Sequence, residues 1–264
     1  MEFRTVVDIP KPRFHIEPCE EILLVGSCFA DSIGQRFREE GFPVTVNPYG
    51  TMYNPASILH TVERTDAAPR VAFFTLGTNH VYRLKETGEI VDNCQKRPQQ
   101  LFQEEELSVD ACADYLRRAV SVLQERRADV RVVLTVSPIR YRKYGFHESQ
   151  LSKSVLLLAA DSLLSDSVSY FPAYEIVLDE LRDYRFYAPD MLHPSPQAVD
   201  YIWERLVDNC FSAQARRFLD EWRPLKQALT HRPFHPDSEA YRQLMEKTNR
   251  QLELLRQKYP AFAL

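Results

Sequence analysis

The sequence predicts an α/β fold: a parallel sheet with helices on both faces, followed by a helical C-terminal appendage. Three observations carry this. Between residues 21 and 211, short β-branched apolar runs alternate with segments whose apolar residues recur every three or four positions. Strand-like runs end at Gly26, at the turn Asn47-Pro48-Tyr49-Gly50 and at Gly77, in a chain with only 7 Gly against 17 Pro. With glycine so scarce, each one marks a sharp turn or a close approach of backbone. From Ala213 onward the strands stop and the composition becomes charged helix. Alternating strands and helices imply right-handed crossovers and parallel strands, which gather ligands at their carboxyl ends.

Taken in order, Glu21-Ile22-Leu23-Leu24-Val25 closes on Gly26, and residues 31–40 carry Ile33 and Phe37 at helical spacing before Gly41. Residues 42–46 read as a second strand, and a helix starts near Pro55, whose fixed φ suits a first turn. Residues 71–76 form a third strand ending at Gly77, and the polar stretch 82–103 suits a hairpin around Thr87-Gly88. Ser108 caps a helix over 108–127 with Ala111, Tyr115, Ala119, Val122 and Leu123 as its stripe. Residues 130–136 are the clearest buried strand, with Arg131 the one charge among branched residues. Residues 149–164 read as helix, 168–172 as a fifth strand, and 195–211 as a helix with Val199, Ile202, Trp203, Leu206, Val207 and Cys210 inward.

Residues 1–212 are thus expected to form one α/β domain and 213–264 a helical extension interrupted by Pro224, Pro233 and Pro236. In the extension, Tyr241, Leu244, Met245, Leu252 and Leu255 form an apolar stripe that packs either on the domain or on a second copy, so a homodimer through these helices is one expectation.

Composition excludes several classes. With 264 residues, 44% of them hydrophobic, there is material for a substantial core, and 33 basic residues scattered among 37 acidic ones give no footprint for nucleic acid or anionic lipid. No apolar run approaches the ~20 residues of a membrane span, and the first residues lack a signal-peptide pattern, so a cytoplasmic location is expected. Five cysteines, widely spaced and without a C-x-x-C pair, read as reduced thiols. His231 and His235 have metal-pair spacing, but Pro233 breaks the helix that would align them, so neither a metal nor a cofactor is expected. Gly26 to Gly34 carries neither a dinucleotide fingerprint nor a phosphate loop.

The strand ends place polar residues where this architecture puts its site: Ser27 after the first, Gly50 after the second, Asn79 after the third, with Asp190 and His193 before the last helix of the domain. These supply a serine hydrolase. Ser27 is the expected nucleophile at a strand-to-helix turn, His193 its base, and Asp190 the group that orients the imidazole. The N–H groups of Ser27 and Gly50 with the Asn79 amide are the expected oxyanion donors, each typically contributing ~3 kcal/mol. Each residue also has a plain structural role. Ser27 suits a helix cap, Asp190 and His193 a local cap pair, and Asn79 an ordinary turn. Cys28 is a rival nucleophile near a helix N-terminus, with an inert buried thiol as its expected state.

Gly26-Ser27-Cys28-Phe29-Ala30 spells the signature of the GSCFA family, which resembles the SGNH (GDSL-like) hydrolases. The likeness includes Asn47-Pro48-Tyr49-Gly50 through Tyr53-Asn54-Pro55, Thr75-Leu76-Gly77-Thr78, and Thr135-Val136-Ser137-Pro138-Ile139-Arg140. It continues through Gln150-Leu151-Ser152-Lys153 and Tyr174-Glu175, then Asp183-Tyr184-Arg185-Phe186-Tyr187 leading into Asp190-Met191-Leu192-His193-Pro194-Ser195. The resemblance implies a three-layer αβα sandwich on a five-stranded parallel sheet, with Ser27, Gly50, Asn79 and Asp190 with His193 in the SGNH roles. Two departures stand out. The usual first block reads Gly-Asp-Ser, whereas Gly26 is followed by Ser27 and Cys28. The segment between the second and third blocks, rich in His and Trp in the family, is here only residues 56–70.

The function expected is therefore an SGNH-type esterase or deacylase acting on a small-molecule or carbohydrate acyl substrate, with a carbohydrate O-acetyl group in view because the SGNH resemblance implies it and because Tyr49, Tyr53, Asn54 and Tyr82 line the expected mouth. His80, Arg140, His147 and Lys153 are further candidate substrate contacts. An acyltransferase on the same site, or a non-catalytic ligand-binding protein of the same fold, are the alternatives.

Overall fold

The structure, a computed structural model, describes residues 4–92 and 97–264. Its first half builds β1 (Ile22–Gly26), α1 (Cys28–Glu39), β2 (Val44–Val46), α2 (Pro55–Arg64) and β3 (Val71–Leu76). Three short strands follow, β4 (His80–Leu84), β5 (Ile90–Val91) and β6 (Phe102–Glu106), then α3 (Val109–Arg126), β7 (Arg131–Val136), α4 (Phe146–Asp161) and β8 (Val168–Tyr170). The chain continues through α5 (Ala173–Glu175), α6 (Pro196–Cys210), α7 (Ala213–Thr230) and α8 (Glu239–Lys258).

β2-β1-β3-β7-β8 form a five-stranded sheet whose described pairings are all parallel, with Gly26 opposite Thr75 and Leu76 opposite Val136. Alternate residues of each strand feed opposite cores. Ile22, Leu24, Phe73 and Val133 face α1, α6 and the C-terminal helices, while Leu23, Val25, Phe74 and Leu134 face α2, α3 and α4. That is the expected αβα sandwich. Phe37 anchors the first core, with the rings of Phe42, Phe73, Trp203 and Phe211 at 4.8–5.9 Å. Truncating such a residue to Ala typically costs ~3–5 kcal/mol.

Several helix starts follow from side-chain caps that the sequence displays: Asn54 accepts from the Ser57 N–H, Ser108 from Ala111, and Ser195 from Ala198. Four details differ from the sequence reading. α1 begins at Cys28, three residues early, because Ser27 caps it. α4 begins at Phe146 rather than 149. The expected hairpin gains a third strand, since β6 pairs antiparallel with β4 to give the small sheet β5-β4-β6. α7 runs through Pro224. The missing N–H there is tolerated because Phe218, Leu219, Trp222 and Leu225 bury that helix face.

The extension packs on the domain. The Trp222 indole N–H donates to the Glu39 carbonyl at 3.0 Å, Lys226 pairs with Glu40 at 2.8 Å, and Phe262 packs with Trp222 and Phe218. Leu252 and Leu255 are buried in this contact, whereas Tyr241, Leu244 and Met245 stay near the surface. No described helix is long and apolar enough to cross a membrane.

Candidate active site

The turn after β1 is built from the sheet outward. Gly26 has φ +145°, and a β-carbon there would collide with the Thr75 backbone. Only glycine turns the chain at that point without displacing β3. Ser27 follows, fully buried, its N–H donating to the Thr75 carbonyl at 3.0 Å and its Oγ accepting from the Phe29 N–H at 3.3 Å. The same hydroxyl lies 3.2 Å from Thr75 Oγ1. Ser27 is thus the N-cap of α1, turned into the sheet, and this corrects the expectation that it meets His193. The side chain that does so is Cys28, half-buried as the first residue of α1, with Sγ 3.3 Å from His193 Nε2.

His193 and Asp190 lie on the loop between the short turn at 184–186 and α6. His193 Nδ1 is 2.6 Å from Asp190 Oδ2, and Asp190 Oδ1 accepts from the N–H groups of Leu192 at 2.9 Å and His193 at 3.0 Å. These two backbone N–H groups, and then the imidazole, hold the Asp190 carboxyl down to about 2. An ionised Asp190 makes Nδ1 the protonated nitrogen, which leaves Nε2 as acceptor toward the thiol. Burial pushes the Cys28 thiol up; Asp31 and Asp190 add to this, while its own backbone N–H and Lys153 oppose it. At neutral pH the thiol therefore keeps its proton until a base takes it.

The loop is clamped from outside. Ala188 N–H donates to the His193 carbonyl at 2.8 Å, Tyr187 bridges to Pro194, and Arg140 donates from its N–H to the Leu192 carbonyl and from its guanidinium to the Met191 carbonyl, both at 3.0 Å. Met191 takes φ +61° to close this turn.

The other expected residues scatter. Arg140 is this clamp, its guanidinium over the rings of Phe146 and Tyr187, rather than a substrate contact. A cavity of about 280 Å³ lies beside it, lined also by Gln150, Leu178, Tyr184 and Tyr187. Lys153 is buried, donating at 2.7 Å to the carbonyls of Gly77 and Ser137, and burial pushes its ammonium down to about 7. Asn54 caps α2, and Tyr49 donates to the Arg64 carbonyl under the Arg64 guanidinium. Tyr82 pairs with Glu104 and Lys143, and His80 stacks on Tyr144 with centroids 3.8 Å apart. His147 is exposed at the start of α4. Of the expected mouth, Tyr53 remains, 42% exposed and within the electrostatic reach of Cys28.

The expected oxyanion donors make bonds within the fold: Ser27 N–H with Thr75, Gly50 N–H with the Asn47 carbonyl at 2.8 Å, and one of the two N–H groups of the Asn79 amide with the Leu107 carbonyl at 2.8 Å. Of the five cysteines, Cys19, Cys28, Cys112 and Cys210 are free thiols, and Cys94 lies outside the described residues.

The GSCFA family model matches residues 21–69 and 65–206, and the C-terminal domain model of GSCFA domain proteins matches 222–264. The chain belongs to the GSCFA family. No curated protein matches it. Among solved structures, it is similar to a catalytic mutant of an acetylxylan esterase from Geobacillus stearothermophilus, at 14% identity over 75% of this chain and 98% of that one, with a TM-score of 0.45. It is also similar to a carbohydrate esterase family 3 protein from Talaromyces cellulolyticus, at 9% identity over 76% and 99%, with a TM-score of 0.42. A third is an acetyl esterase mutant with acetate ion, at 10% identity over 76% and 99%, with a TM-score of 0.43. The signal that marks Cys28 was present in the family block itself. Counted from Gly26, the third place, which holds serine in Gly-Asp-Ser, holds Cys28.

Proposed function

We propose that this GSCFA protein is an acyl hydrolase with a cysteine nucleophile, Cys28, the base His193 and the orienting carboxylate Asp190. The observation that carries the reading is the unbroken relay from Sγ to Nε2 at 3.3 Å and from Nδ1 to Asp190 Oδ2 at 2.6 Å. This relay has the nucleophile, base and orienter in contact order, which defines such a site irrespective of chain order. His193 Nε2 takes the thiol proton as sulfur attacks the acyl carbon. The α1 N-terminus, at whose first residue Cys28 sits, favours the developing thiolate. His193 then returns the proton to the leaving group, and water, deprotonated by the same nitrogen, releases the S-acyl enzyme.

The substrate class is an ester or thioester of unspecified acyl group. A carbohydrate ester gains no support from Tyr49, Asn54 and Tyr82, which are occupied elsewhere in the fold. An S-acyl intermediate is a thioester, so transfer to an added amine or alcohol uses the same steps as hydrolysis. Partition between water and such acceptors separates hydrolase from acyltransferase.

The test is reaction of purified protein with p-nitrophenyl acetate, followed by peptide mass spectrometry at low pH to preserve the thioester. Acetyl on Cys28, absent in Cys28→Ala and retained in Ser27→Ala, is expected. Acetyl on Ser27, or none on folded protein, sinks the proposal.

A further inference from the structure

With the Ser27 and Gly50 N–H groups engaged in the fold and one of the two Asn79 amide N–H bonds spent on the Leu107 carbonyl, a tetrahedral intermediate on Cys28 calls for further partners. One hydroxyl beside the site is unused. Tyr141 Oη is buried and has no hydrogen-bond partner among the described residues. A buried donor without an acceptor is costly, and sites that keep one commonly do so for a group that arrives later. Its position is fixed on several sides. The Tyr141 N–H donates to Ser149 Oγ at 3.3 Å, its ring meets Tyr53 edge-on at 6.0 Å, and the Lys153 ammonium lies 4.9 Å from the ring centroid.

The hydroxyl is aimed at the end of β3. A β-carbon at Gly77 would collide with Tyr141 Oη, so the glycine is what lets the hydroxyl reach that strand end. Gly77 follows Leu76 on the strand that pairs Thr75 with Gly26, two residues before Cys28. The Tyr53 carbonyl, which accepts from the Gly77 and Thr78 N–H groups at 2.9 and 2.8 Å, fastens the same corner. Burial, followed by the charges of Cys28 and Tyr53, holds the Tyr141 hydroxyl well above the ordinary phenol range. It is therefore a donor at any working pH, and Cys28 and Tyr141 lie close enough to feel each other's charge.

We infer that Tyr141 is an oxyanion donor of this site. This rests on Cys28 being the nucleophile. As the sulfur–carbon bond forms, the carbonyl π pair moves onto oxygen, and Tyr141 donates a hydrogen bond without giving up its proton. Collapse re-forms the carbonyl and breaks the bond to the leaving oxygen, which takes the proton held on His193 Nε2.

The experiment compares two reactions of Cys28 in wild type and Tyr141→Phe: acetylation by p-nitrophenyl acetate, which passes through an oxyanion, and alkylation by iodoacetamide, which does not. Acetylation slowed on the order of 10²-fold, with alkylation within about twofold, is expected. Equal acetylation rates, or equal slowing of both reactions, overturn the role of Tyr141 while leaving Cys28 as nucleophile. Acetylation of the wild type at a residue other than Cys28, or nowhere, overturns the nucleophile and this inference together, and so is told apart from the first failure.

Discussion

The two halves of the candidate site are held by opposite means. Cys28 rides on the β1–α1 turn, where Gly26, Ser27 and Thr75 are locked to one another inside the sheet. His193 and Asp190 stand on a surface loop, each side chain 45% exposed, fixed by the loop's own hydrogen bonds and the Arg140 clamp. Moving the nucleophile means disturbing the core, while moving the base means disturbing only a few hydrogen bonds. Substitutions in the first half should therefore separate chemistry from stability by residue. In the second half they should change the reaction with little effect on folding.

The largest effect is expected within the turn itself. Cys28→Ala should remove the covalent intermediate and lower turnover by ~10⁴-fold or more, as loss of a nucleophile does in triad enzymes. Ser27→Ala should keep the chemistry and lose the cap, costing ~1 kcal/mol in unfolding free energy. Steady-state rates and thermal melts on the two variants check this. If the effects fall on the opposite residues, the assignment of the turn is wrong.

Next is Asp190→Asn in the loop, expected to slow acylation by roughly 10²–10⁴-fold by releasing the imidazole tautomer, with the melting temperature little changed. The pH dependence carries a sign. The Asp190 carboxyl is held down to about 2, so its contribution is fully present above the ordinary value of 3.8 and is lost as pH falls through 2. An acid limb of the rate profile above pH 5 must then come from another group. It should survive in Asp190→Asn, and disappearance of that limb in the variant would contradict this.

The same contrast explains what was legible in the sequence. Sheet-built features were. The strand-Gly turns, the helix cap Ser108 and the five strands follow from local pattern, since hydrophobic period and capping chemistry act within a few residues, whereas Asn54, expected at the substrate mouth, is the cap of α2. Asp190 and His193 were legible too, because their pairing spans only three residues. Choosing between Ser27 and Cys28 was legible only from the family block, in which Cys28 takes the third place; local pattern does not decide it, since adjacent residues at a helix start differ only in direction. That direction is set by Thr75, 48 residues away. Arg140 and Lys153 read in the sequence as substrate contacts. Their targets are carbonyls on distant segments, and no spacing rule encodes those contacts.

A smaller effect is expected for Arg140→Ala. It removes the guanidinium contact to the Met191 carbonyl and leaves the backbone bond to Leu192 in place. Modest misplacement of a catalytic group costs up to ~10²-fold, so a partial loosening should lower acylation by about tenfold. Iodoacetamide alkylation at high pH, where His193 is not needed, should be unchanged. A drop in that rate as well would place the effect of Arg140 on the core half of the site.

The smallest effect tests the buried half through stability alone. Lys153 joins the ends of β3 and β7, and burial pushes its ammonium from 10.5 down to about 7. Between those values the unfolded chain binds a proton that the folded chain does not, so stability rises with pH across that range, by at most ~1.4 kcal/mol per pH unit for one group. Above pH 9 the buried thiols of Cys19, Cys112 and Cys210, each pushed up to about 12, act in reverse, because the unfolded chain releases their protons first. The usable window is therefore pH 7 to about 8.5. Denaturant unfolding there should show stability climbing more steeply with pH in the wild type than in Lys153→Met, whatever the variant's absolute stability. Parallel slopes in the two proteins would mean that the two carbonyls at 2.7 Å keep Lys153 charged in the fold. The corner between β3 and β7 would then be held by a permanent buried cation, close enough to favour the Cys28 thiolate.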